Sequence, residues 1–92
     1  MKAYIVTYEI SEISLNDYKS LYDEIKASKH WWHHIANSWI IKTDESALEI
    51  NDRLKPHLDD DINLIVFELG KERAGWLPKK SWEWITRNIP KR

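Results

Sequence analysis

Three histidines, His30, His33 and His34, and three tryptophans, Trp31, Trp32 and Trp39, fall within residues 28–43. On a helix, histidines at i, i+3 and i+4 would share one face and offer a zinc site. Their β-branched and aromatic neighbours favour a strand, where His33 and His34 point to opposite faces. The segment therefore reads as an aromatic surface ringed by imidazoles. The catalytic alternative is one histidine moving a proton near neutral pH. Asp59, Asp60 and Asp61 lack the alternate spacing and closing glutamate of a calcium loop, so they read as a solvated turn. Trp31, Trp32, Trp39, Trp76, Trp82 and Trp84 have two uses, base stacking or burial in a core and interface. Base-stacking platforms sit in basic grooves, and the region around residue 31 is not strongly basic, so a core and dimer interface is the expectation. Lys42, Lys79, Lys80, Arg87, Lys91 and Arg92 are the candidate phosphate contacts, with a solvated basic tail as the alternative.

The elements that must position these residues are visible in the apolar spacing. Residues 2–10 alternate, with Tyr4, Val6, Tyr8 and Ile10 on one side and Ala3, Ile5, Thr7 and Glu9 on the other. Both sides are largely apolar, which predicts a central strand covered on both faces. Leu15, Tyr18, Leu21, Tyr22 and Ile25 recur at helical spacing after Ser14 and Asp17, which resemble a capping box; they predict a helix over 15–28. Strands follow at 31–35 and 38–43, reversed at Ala36–Asn37. Ser46 and Glu49 form a second capping box, and Ala47, Ile50, Leu54 and Leu58 line a helix that Pro56 ends or kinks. Residues 62–69 are almost continuously apolar, as in a buried strand, and Gly70 closes them. Beyond the loop marked by Gly75 and Pro78, Ser81 is placed to cap a helix carrying Trp82, Ile85 and Ile89.

The order β-α-β-β-α-β predicts an α+β ferredoxin-like domain over 1–70. It has a four-stranded antiparallel sheet with two helices on one face. A basic, Trp-rich extension over 71–92 packs on the domain or on a second protomer. The opposite sheet face receives no helix from the repeat, so the extension or a second copy must cover it.

Composition narrows the functional classes. The chain has 92 residues, enough for one domain, and no cysteine. That excludes disulfides and thiolate metal sites and fits a reducing cytoplasm. No apolar run approaches the roughly 20 residues of a membrane span, and the first residues carry too short an apolar run for a signal peptide. Residues 1–69 hold 7 Lys/Arg against 13 Asp/Glu, whereas 70–92 hold 7 against 2. A basic end on an acidic body meets phosphate or the acidic body of another copy.

The succession "YIVTYEIS", "WHHIANSWIIKT", "SALEINDRLKPHLDDD" and "INLIVFELG" resembles the small CRISPR-associated Cas-two proteins. It is closer still to the Cas-two-like group labelled SinR family, and the virulence-associated protein D toxins share the same body. The most specific pieces are the "YEI" that ends the first strand, Ser38–Trp39, and "AGWLPKKSWEWI". The resemblance implies a ferredoxin-like homodimer that meets RNA or DNA in prokaryotic antiviral defence. Several such proteins are described as metal-dependent nucleases, others as scaffolds without catalysis. The family's key acid is an aspartate at the end of the first strand, and Glu9 stands at that position. The implied catalytic residues are Glu9 and Ser38, with Glu9 from two protomers flanking Mg²⁺ or Mn²⁺. Of the basic residues named above, Lys42, Lys79, Lys80 and Arg87 are the candidate nucleic-acid contacts. The extra methylene of glutamate moves its oxygens by about 1.5 Å, so a non-catalytic dimeric binding or assembly module stands as the alternative.

Overall fold

The computed structural model describes residues 1–9, 18–60 and 62–89. Its elements are β1 (Lys2–Tyr8), α1 (Tyr18–Lys26), β2 (His30–Ile35), β3 (Ser38–Thr43), α2 (Ala47–Leu54), β4 (Leu64–Glu68) and α3 (Lys79–Asn88). The four strands form one sheet in the order β2-β3-β1-β4, with every neighbouring pair antiparallel. The chain is thus a small α+β protein, and β1 is central, as its two apolar sides require.

Alternation along the strands sorts their side chains between two faces. Tyr4, Val6, Tyr8, Trp39 and Ile41 pack with Leu21 and Ile25 of α1 and Ile50 and Leu54 of α2. Ala3 packs on the other face with Ile85 and Ile89, joined by Ile40, Leu69, Leu77, Trp82 and Trp84. The second face is therefore covered from within the chain, by α3. That cover is partial. α3 packs nearest β2, and on the β4 side Ile65 and Phe67 remain exposed.

Local chemistry explains the boundaries. The Ser46 hydroxyl accepts from the Glu49 amide while Glu49 accepts from the Ser46 amide, so the capping box starts α2. Pro56 then tightens the chain into a 3₁₀ turn over Lys55–His57 instead of letting the helix run on to Leu58. Ser81 does not cap α3. Pro78 occupies the cap, where a missing N–H costs nothing, and Ser81 lies buried inside the first turn. The capping pair expected at Ser14 and Asp17 lies outside the described residues, as do Ile10, Leu15, Asp61, Lys91 and Arg92. β2 carries a register irregularity between Trp32 and Ile35, whereas β4 pairs regularly with β1.

Candidate functional site

Glu9 follows the last residue of β1 and sits opposite Asn63, at the entry to β4. Its backbone N–H donates to the Asn63 carbonyl at 3.1 Å. Its Oε1 accepts from the Asn63 N–H at 3.0 Å. The carboxylate thus closes the end of the β1–β4 ladder, and one of its two oxygens is engaged by the fold. It borders a shallow depression with Thr7, Tyr8, Asn63, Leu64 and Ile65. Ser38 opens β3 across from Thr7, and the two hydroxyls share a hydrogen bond at 3.0 Å. Ser38 does not border the depression at Glu9.

Among the described residues, no group of three or more His, Asp or Glu side chains is arranged to hold a metal ion. Magnesium is commonly held by one or two carboxylates with waters and substrate phosphates. Among the described residues, Glu9 is the one carboxylate bordering this depression, and one of its oxygens accepts from a backbone amide.

The histidines separate as strand geometry requires. His33 stacks on Trp39 with centroids 3.7 Å apart and planes 12° apart, on the face beneath α1 and α2. His34 meets Trp32 at 5.5 Å on the α3 face. His33 is further fixed by donating from Nε2 to the Ala36 carbonyl at 3.0 Å.

The tryptophans do not form one surface. Trp39 is completely buried, with its indole N–H donating to the Tyr8 hydroxyl at 3.0 Å. Trp32 is buried on the α3 side, and Trp82 and Trp84 are half-buried against the cluster of Ala3, Ile85 and Ile89. Of the six, Trp39 belongs to the core, as expected of part of the set. Trp39 serves the core under α1 and α2, whereas Trp32 walls a cleft beside α3. Trp31, beneath the Lys26 ammonium at 5.3 Å, is partly exposed, and Trp76 is 99% exposed.

The basic residues fall into two places. Lys79 and Arg87 flank a shallow groove on α3 with Trp82, Glu83 and Thr86 between them. Lys80 is exposed on the first turn of the same helix. Lys42 lies elsewhere, in a depression with Lys2, Lys71 and Asn88 near the other end of α3.

The most elaborate polar cluster escaped the sequence reading. Arg53 of α2 donates to Glu45 Oε1 and Oε2 at 3.0 Å and to Ser28 Oγ at 2.8 Å, and it also reaches the Glu24 carbonyl. Burial pushes the Glu45 carboxyl upward, but hydrogen bonds from Arg53 and Thr43, with the Arg53 charge, outweigh it and hold the group below its ordinary value. The partners are 8, 25 and 29 residues away in sequence, which left no local spacing to read. This cluster ties α1 to α2 and to the β3–α2 loop; its bonds are internal, so its role is structural.

Compared with known proteins, the chain matches no family model and no curated protein sequence. No helix among the described residues is long and apolar enough to cross a membrane.

Proposed function

We propose that this chain is a Cas-two-like, ferredoxin-like protein of the cytoplasm that acts as a homodimeric, non-catalytic module binding RNA or DNA. The observation that carries this reading is the edge strand β4. It is unbulged and presents Ile65 and Phe67 at 46% and 60% exposure. Natural edges are normally blunted by bulges, charge or cover, and an unblunted apolar edge is a template for another strand.

The strand is also self-complementary. The Leu69 N–H donates to the Ala3 carbonyl, and Glu9 N–H to the Asn63 carbonyl. Antiparallel alternation then turns the Leu64, Val66 and Glu68 amides toward the open edge. A two-fold pairing centred on Val66 sets these groups against their own copies and makes about six hydrogen bonds. It places Ile65 of one protomer across from Phe67 of the other, in the closer, non-hydrogen-bonded kind of pair. The exposed apolar pairs of both copies then join into one stripe.

In that dimer the two Glu9 side chains lie three strand spacings across and about six residues along from each other, or about 25 Å apart. They cannot share an ion. Glu9 therefore ends a ladder in this reading, and the assembly holds nucleic acid without cutting it. The contacts are assigned to the outer side of α3, where Lys79, Lys80 and Arg87 supply positive charge. Trp76, three residues before Lys79, is free to stack on a base. Ferredoxin-like topology and a role in prokaryotic defence rest on the strand order and on the sequence resemblance.

The test pairs sedimentation velocity with a cleavage assay in Mg²⁺ and Mn²⁺. Wild-type protein is expected to be a dimer that retains labelled RNA or DNA uncut, and Phe67→Lys a folded monomer. Cation-dependent cleavage that Glu9→Gln abolishes would overturn the non-catalytic assignment. A wild-type monomer at every concentration would overturn the dimer.

A further inference from the structure

We infer that the cleft between α3, the segment leading into it and the sheet binds a small one-ring carboxylate. The cleft holds about 170 Å³ and is walled by Ile5, Trp32, Ile40, Leu69, Trp82 and Ile85. A dry cavity of about 150 Å³ takes up benzene, so the volume suits a single ring. Apolar walls with a few polar groups are the usual composition of a small-molecule site.

Two polar groups in the lining define the rest of the ligand. Trp32 is 6% exposed, and its indole N–H is buried with no acceptor among the described residues. A buried donor left unpaired is costly, so an occupant that brings an acceptor favours a turn of the indole toward the cleft. Arg73 also lines the cleft and is half-buried. One of its N–H groups donates to the Ile89 carbonyl. No carboxylate among the described residues lies within ion-pairing distance of it. A guanidinium carries five N–H donors in a fork that matches a carboxylate, so most of its capacity is unspent. A ring for the apolar walls and a carboxylate for Arg73 and Trp32 together give the class.

Glu72 borders the same cleft and is exposed. Its charge opposes an anion, which supplies a second handle. Neutralising Glu72 is expected to strengthen binding, whereas neutralising Arg73 weakens it. The inference does not rest on the β4 dimer, because Trp32, Glu72 and Arg73 are not part of β4.

The experiment titrates the full chain, labelled at its indole nitrogens, with benzoate and, as the charge-inverted control, benzylammonium. Trp32→Phe assigns the Trp32 resonance. Benzoate is expected to shift the Trp32 indole N–H saturably, and benzylammonium to leave it in place. Arg73→Met is expected to weaken benzoate at least roughly tenfold, the usual weight of a hydrogen bond to a charged group. Glu72→Gln is expected to tighten it, and Arg73→Lys to retain part of the affinity. An unchanged urea midpoint certifies that each variant is folded. No saturable shift up to the solubility of benzoate, or equal affinity in Arg73→Met, would overturn the site. So would a Trp32 resonance that moves with protein concentration alone, because a second copy would then fill the cleft.

Discussion

Beneath α1 and α2, Val6, Trp39 and Ile41 keep no exposed surface; on the opposite face Ile65 and Phe67 keep 46% and 60% of theirs. The two faces belong to the same strands and have similar apolar content, so composition does not explain the difference. Cover does. Two helices from the repeat lie over the first face, and the Arg53 cluster cross-ties them. One late helix lies over the second, on the β2 side. The closed face spends its aromatic residues on mutual contact, with Trp39 gripped by His33, Tyr22 and Tyr8. The half-covered face keeps an open edge, a cleft and two buried polar atoms, Trp32 Nε1 and Ser81 Oγ, without partners among the described residues. Burial is concentrated on one side and open apolar surface on the other.

The sharpest way to break this contrast is Trp39→Ala. It empties the centre of the closed face and removes the indole N–H that donates to the Tyr8 hydroxyl. We expect a loss of about 3–5 kcal/mol, read as a lower urea midpoint. A much smaller loss would mean that the closed face is not the structural half.

Next in size is Arg53→Met. It leaves Glu45 without its charged partner and Ser28 without its donor, at an expected cost of about 1–3 kcal/mol. It also carries a pH signature. The Glu45 carboxyl is held below its ordinary value in the folded chain. Its contribution is therefore present above the unfolded pKa and is lost as pH falls through the folded one. Wild type is expected to weaken in acid more steeply than the variant in urea melts taken from neutral pH down to about pH 3. Parallel acid limbs would contradict the coupling.

On the open face, Phe67→Lys is expected to change monomer stability by no more than about 0.5 kcal/mol, as at an exposed site, while abolishing self-association by sedimentation. The smallest effect belongs to Lys19→Ala. Its partner Asp23 lies one turn away at 2.9 Å, but both are exposed. No measurable change in Tm is expected, because exposed pairs contribute little.

Much of the closed half was legible in the sequence. The alternation around Tyr4, Val6 and Tyr8, the reversal at Ala36–Asn37, and the Ser46–Glu49 box are local patterns, and local patterns fix local structure. The open half was less legible for a physical reason. "LIVFE" reads identically whether its outward residues are buried by a helix or left bare at an edge, and only α3's position in space decides. The tryptophans misled in the same way. Trp39 and Trp76 are one residue type, yet one is wholly buried and the other almost wholly exposed. Glu9 was found through the family resemblance. Its bond to the Asn63 amide depends on a neighbour 54 residues along the chain. Arg73 attracted no notice because its meaning comes from the cleft that α3 closes over it.

The central claim is that the β4 edge is where a second copy binds, and hydrogen exchange reads it residue by residue. The Leu64, Val66 and Glu68 amides face the open edge and are expected to exchange quickly in dilute protein and slowly in concentrated protein. Those of Ile65 and Phe67, paired with β1, are expected to be protected at both. Exchange at Leu64, Val66 and Glu68 that stays fast at every concentration would contradict the account.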